Sequence, residues 1–273
     1  MYRQQTFLYT PPDETKLWRY VDLSHFLWLL SQRSLYFANL TEFDDHWEGA
    51  LPLGSIEGLK RFLASVEVKD LGAAINEPDV DIHVPGFDSR VQRLEALLRL
   101  LQANYGVNCW HSNDVESVAM WKLYTRGKDG VAIQTTVGRL KACLSHDVRD
   151  IYIALVNYLD HDVLPVEELI LPNALIPVIT KRRSFEHESE VRLILNRGLT
   201  NQGLRQSLSG EVVAVDINNM IERIVASPDY PGWGIANLQD IVAAASLHVC
   251  VERSDLLRRP RTEVPHTGHA DRP

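Results

Sequence analysis

Several features that would assign a chain to a membrane, a disulfide framework or a nucleic-acid surface are scarce here. Only three of 273 residues are cysteine: Cys109, Cys143 and Cys250, odd in number and far apart. That excludes a disulfide-stapled scaffold and suits a reducing cytoplasm. Long apolar runs are missing. The uncharged stretch 151–159 falls well short of the roughly 18–20 residues a membrane helix needs. Met1-Tyr2-Arg3-Gln4-Gln5 leads into no apolar segment with a small-residue cleavage site, so no signal peptide is read. Positive charge is in deficit too. Lys and Arg number 28 against 36 Asp and Glu, for a formal net charge of −8. This argues against broad attraction to nucleic acid and leaves room for a local basic patch. Neither GxGxxG nor GxxxxGK[ST] occurs, which removes the usual phosphate loops as sequence signals.

What is present points to one sizeable core. The chain is 45% hydrophobic and 23% charged, too apolar for wholesale disorder. Residues 258–273 carry three prolines, a glycine and no aromatic residue, and are expected to be a disordered tail. Residues 66–89 read as a long surface excursion and 197–210 as a second loop. Helical spacing recurs: Leu23, Phe26, Leu27 and Leu30 behind an Asp22 cap, then Ile56, Leu59, Phe62 and Leu63, then Val91, Leu94, Leu97, Leu98 and Leu101. Asp114 is placed to cap a helix over 117–124, and Thr136 one bearing Val137, Leu140 and Leu144. Strands are expected near 17–21, 34–38, 106–110, 130–135, 151–158, 190–195, 212–217, 223–226 and 248–252. Strands and helices intermix without the even alternation of a doubly wound sheet. The expectation is a single α+β domain over 17–257, with a mixed, mostly antiparallel sheet and peripheral helices.

Three motifs carry chemistry. The run from Lys181 to Leu195 contains Glu188-Ser189-Glu190-Val191-Arg192. A strand beginning near Glu188 would put Glu188, Glu190 and Arg192 on one face and Val191, Leu193 and Leu195 on the other. Two carboxylates so spaced would raise each other's proton affinity, with Arg192 opposing. They form either a Glu-x-Glu acid pair or an exposed face with an ion pair. The second motif is Phe43-Asp44-Asp45-His46-Trp47-Glu48-Gly49. It reads as a capped turn with Trp47 packed beneath, or as metal ligands. The third is Glu116-Ser117-Val118-Ala119-Met120-Trp121-Lys122-Leu123-Tyr124, a helix apolar around much of its circumference and so expected to be buried. Trp121 and Tyr124, three apart, can wall a pocket for a flat ring or simply serve as core. The strand after it ends in Gln134-Thr135-Thr136, which can hold a ligand or cap the next helix. Covalent catalysis has weak support. Ser117 lacks a G-x-S-x-G elbow, Cys143 lies on an apolar stripe, and Cys109 and its neighbouring His111 are expected to point to opposite faces of a strand.

Together these blocks, with Leu17-Trp18-Arg19-Tyr20-Val21-Asp22, Leu35-Tyr36-Phe37-Ala38 and Gly130-Val131-Ala132-Ile133, resemble the bacterial family called domain of unknown function 2971, over roughly 17–254. The chain has Asp45-His46-Trp47-Glu48 where that family usually reads Asp-Pro-Phe-Glu; the lost proline loosens the turn and the acidic ends remain. The family name carries no activity. The order Arg19, then Gln134-Thr135-Thr136, then Glu188-Ser189-Glu190 more distantly resembles ADP-ribosyltransferases. That resemblance implies a split sheet and NAD as co-substrate, without a metal. It also implies that Arg19 binds the pyrophosphate or ribose, with Gln134, Thr135, Trp121 and Tyr124 also in the NAD site. Glu190 stabilises an oxocarbenium-like state, and Glu188 activates a nucleic-acid or protein acceptor. It requires Arg19, Thr135 and Glu190 to face one cleft. Two alternatives stand beside it. One is a metal-dependent nuclease or phosphodiesterase using Asp44, Asp45, Glu48, Glu188, Glu190 and Lys181, with Asp45, Glu48 and Glu190 within reach of one ion. The other is a non-catalytic binding or regulatory domain. A cytoplasmic protein with no membrane partner is expected.

Overall fold

The computed structural model describes residues 1–43, 45, 47–49, 104–125, 128–144, 147–160, 175–197 and 209–257. The stripes at Ile56–Leu63 and Val91–Leu101, the excursion at 66–89, most of the loop at 197–210 and the tail at 258–273 lie outside them.

The fold is α+β around a mixed, mostly antiparallel sheet. In chain order the elements are β1 (Lys16–Val21), α1 (Leu23–Gln32), β2 (Ser34–Asn39), β3 (Tyr105–Ser112), α2 (Val118–Tyr124), β4 (Val131–Thr136), α3 (Val137–Cys143), β5 (Ile151–Leu155), β6 (Asn157–Leu159), α4 (Ile176–Ile179), β7 (Thr180–Arg182), β8 (Glu190–Asn196), β9 (Glu211–Ala214), α5 (Ile217–Met220), β10 (Arg223–Ala226), α6 (Gly232–Ala244) and β11 (Val251–Arg253). Two 3₁₀ helices, Leu40–Glu42 and Arg183–Glu188, follow β2 and β7.

β3 organises the sheet. One of its edges carries β8 along nearly its whole length, from Tyr105 opposite Asn196 to His111 opposite Glu190. The other edge is shared. Its start pairs with β2 (Ala38 with Val107, Asn39 with Gly106), and its end pairs with β1 (Leu17 with Ser112, Trp18 with His111). Asn108, Cys109 and Trp110 have neither neighbour in register on that edge. β1 continues into β4, β10 and β11, and β2 into β9. The sheet therefore parts into two halves that diverge from β3, with α1 linking the end of β1 to the start of β2. The Asn108 side chain spans the opening by donating to the Tyr36 carbonyl at 2.9 Å.

Strand alternation fills both faces. Leu17, Ile133, Trp110, Val191, Leu193 and Ile224 form the main core with Phe26 and Leu29 of α1, Leu140 of α3, Ile217 of α5 and Leu238 of α6. On the opposite face Trp18, Tyr20, Ala132 and Val225 pack on Met120 and Trp121, while Val107, Tyr152 and Ile194 pack on Leu175, Val178 and Ile179. Residues 1–15 also belong to the body. Tyr2 bridges Ile151, Thr10 donates to the Ile153 carbonyl, and Leu8 is buried, which covers the free edge of β5.

Element ends differ from the periodicity reading at a few places. The strand expected over 151–158 breaks at Val156 into β5 and β6, and the one expected over 212–217 stops at Ala214 because Asp216 caps α5. β11 starts only at Val251. Ser117, rather than Asp114, caps α2, accepting from the Met120 amide. α2 is also not enclosed. Met120 and Trp121 are buried, while Val118, Leu123 and Tyr124 stay exposed.

Candidate active site

A cavity of about 560 Å³ opens where the sheet parts. β1 contributes Arg19, β3 contributes Cys109 and His111, α2 contributes Leu123 and Tyr124, and the turn into β8 contributes Glu188 and Glu190. Pleat alternation directs Arg19 to the α1 face with Ile133, and Glu190 to the other face with His111. In a continuous sheet that would separate them. Because β1 leaves β3 after Trp18, both line the same opening.

Arg19 is half-buried, and its Nη1 is sealed from solvent without a hydrogen-bond acceptor. Its one described partner is the ring of Trp110, 5.9 Å from the guanidinium carbon. Burial pushes its pKa down, yet a guanidinium remains protonated at neutral pH. Among the described residues no carboxylate pairs with it.

The other side of the cleft is a buried charge cluster. Arg192, fully enclosed, donates to Glu190 at 2.8 Å, to the Val178 carbonyl at 2.6 Å and to Glu48. Lys181 Nζ lies 2.6 Å from Glu188, 3.4 Å from Glu190 and 3.7 Å from Glu48. Among the described residues three carboxylates thus meet two cations, which leaves one formal negative charge in excess beside the cleft. Burial alone would raise the Glu190 carboxyl, but Arg192 and Lys181 outweigh it and hold it at about 2. Burial would likewise lower Lys181, and Glu190 and Glu48 reverse that, raising it. The Tyr124 hydroxyl donates to Glu188 at 3.1 Å, and burial followed by the Glu188 charge raises its pKa.

Glu188 reaches this cluster by a different route from the expected strand face. β8 begins only at Glu190, and Glu188 closes the 3₁₀ turn. Ser189 takes a left-handed conformation, with φ 41°, that turns the chain into the strand. His111 Nδ1 sits 2.6 Å from the Glu188 carbonyl, and the Ser112 amide donates to the Ser189 carbonyl. Burial lowers the His111 pKa. As a neutral ring it can donate from Nδ1 and so brace the turn.

Comparison with family models, with curated proteins and with solved structures finds no match for this chain.

The remaining expected site residues lie elsewhere. Thr135 is fully buried and spends its hydroxyl on the Met220 carbonyl. Gln134 faces the opposite side from Arg19, buried near Arg223. Thr136 caps α3. Trp121 packs edge-on against Tyr20, with ring centroids 5.0 Å apart, and donates to Glu116, so it supports the cleft from behind. Asp45 forms the expected turn, accepting from the Trp47 amide, but Trp47 is not packed beneath it. The ring is exposed and lies 5.5 Å from the Arg182 guanidinium. Asp44 and His46 lie outside the described residues. For a metal-dependent reading, Lys181 and Arg192 already occupy the positions between Glu48, Glu188 and Glu190, and Asp45 is engaged by Arg182 at 2.9 Å. Cys109 and His111, two apart, in fact share one face of β3. Burial and then Glu190 push the Cys109 thiol well up, so it is a poor nucleophile for a different reason from the expected one.

Proposed function

We propose that the cleft binds NAD and that the chain transfers ADP-ribose from it to a nucleic-acid or protein acceptor, the reading implied by the resemblance to ADP-ribosyltransferases. One observation carries it: at the parting of the sheet, a guanidinium without an acceptor and carboxylates from a cluster with negative charge in excess line one cavity. Such a cleft suits a ligand that is anionic at one end and becomes cationic at the other. Arg19 takes the pyrophosphate. Glu190, held ionised, accepts the ribose 2′-hydroxyl and offsets the positive charge that grows as the bond from C1′ to the nicotinamide nitrogen breaks. The bonding pair leaves with nicotinamide, which departs neutral. As the acceptor atom bonds to C1′, its proton passes to Glu188. Of the three residues the resemblance requires in one cleft, Thr135 is outside it, bonded to the Met220 carbonyl, so the scheme rests on Arg19, Glu188 and Glu190 alone, and Gln134 has no part in it.

The test is nicotinamide release and label transfer from NAD by the purified full chain. Glu190→Gln is expected to lower release by about 10²-fold or more. Arg19→Gln should raise KM for NAD more than it lowers kcat, because the pyrophosphate contact exists before and during reaction. Glu188→Gln should cut label transfer more than nicotinamide release. Absence of release by the wild-type chain, or wild-type rates in a Glu190→Gln protein whose circular dichroism is native, would overturn the reading.

A further inference from the structure

A second cavity of about 510 Å³ lies under α1, between the diverging ends of β1 and β2, and Arg19 lines it as well as the cleft. Its volume falls in the range of about 300–1,000 Å³ typical of small-molecule sites. Leu29, Leu35 and Ile133 line its buried, apolar part, and Trp28, Tyr36 and Val212 stand partly exposed around it. The polar groups nearby are already engaged. His25 Nδ1 lies 2.7 Å from Asp22, Ser34 donates to the Gln32 carbonyl, and the Tyr36 hydroxyl donates to Glu42. Among the described residues that line it, Arg19 alone brings an unspent charge, in a setting where an unpaired cation is costly. An apolar space with aromatic walls and one unpaired guanidinium selects for charge and shape together. We propose that this cavity is a binding site for a flat aromatic monoanion, its carboxylate on Arg19 and its ring between Trp28 and Tyr36. One guanidinium serves both spaces, so a ligand here competes with a phosphate bound in the cleft. The inference does not rest on NAD being the cleft's substrate.

The experiment is calorimetric titration of the full chain with 2-naphthoate and with its neutral analogue, naphthalene-2-carboxamide. Naphthoate is expected to bind one to one, and the carboxamide about tenfold more weakly or worse, as for loss of a charge-assisted hydrogen bond. Arg19→Gln should abolish that preference. Val212 lines this cavity and not the cleft, so Val212→Trp narrows this space and should weaken naphthoate about tenfold or more while thermal melting stays cooperative. Inorganic pyrophosphate should raise the apparent Kd of naphthoate in proportion to its concentration. Unsaturable heats, equal affinity for acid and amide, or indifference to Val212→Trp would each overturn the proposal, while absence of competition would overturn the pyrophosphate contact assigned to Arg19 in the cleft. A chain that binds naphthoate but releases no nicotinamide would refute the transferase reading and leave this one standing.

Discussion

Arg192 is the residue on which the charge cluster turns. Fully enclosed, it faces both Glu48 and Glu190. Arg192→Met should therefore cost about 3–5 kcal/mol, the range for stranding a buried partner. Urea unfolding followed by circular dichroism measures the loss. Adding Glu48→Gln and Glu190→Gln to the same chain should recover part of it, because the stranded carboxylates go with the cation. The same reasoning makes Glu190→Gln less stable than wild type, so its activity must be read below its unfolding transition. Of these residues, the acid pair and Arg192 were legible as a spaced run of charge. Lys181 stood in the same run, and its place between the carboxylates comes from the β7 turn, which no periodicity announces. The absence of a partner for Arg19 was not legible at all, since pairing depends on what the fold brings near.

α1 shows an element written almost completely in its own residues. Asp22 accepts from the His25 amide at 2.8 Å, and the apolar spacing after it sets which side packs on the core. Asp22→Ala should lose about 1 kcal/mol, the usual value of an N-cap, seen as a lower midpoint in urea with unchanged slope. β1, β2, β3, β4, β8 and β10 were similarly readable, because each alternates or runs apolar between turn residues. α6 was not. Two glycines in its first turn and exposed apolar residues such as Trp233 hide its stripe, and tertiary contact decides the matter. The left-handed turn at Ser189 also has no sequence signal, since glycine or asparagine is the usual mark of that conformation.

For the whole molecule, the charge cluster predicts how acid acts. The carboxyl of Glu190 is depressed in the folded chain, from an ordinary 4.5 to about 2. Its contribution is therefore complete above pH 4.5 and is lost as pH falls towards 2, on the order of 3 kcal/mol if taken alone. Stability measured by urea titration should fall over that interval, and a Glu190→Gln chain should fall less steeply. The α+β class and the mixed sheet followed from the order of periodic segments. How β1 and β2 share one edge of β3 was not legible in those segments, because register along β3 is set by contacts between residues far apart in the chain, such as Ala38 with Val107. The parting of the sheet also has a mechanical side. Each half of the sheet is fastened to β3 by two residue pairs, and α1 acts as a strap across the top. Whatever seats itself beside Arg19 becomes a keystone, bearing on both halves where no ladder of hydrogen bonds does. With a ligand seated there, occupancy and stiffness would become one variable, and the ligand would serve as a structural member of the protein that holds it.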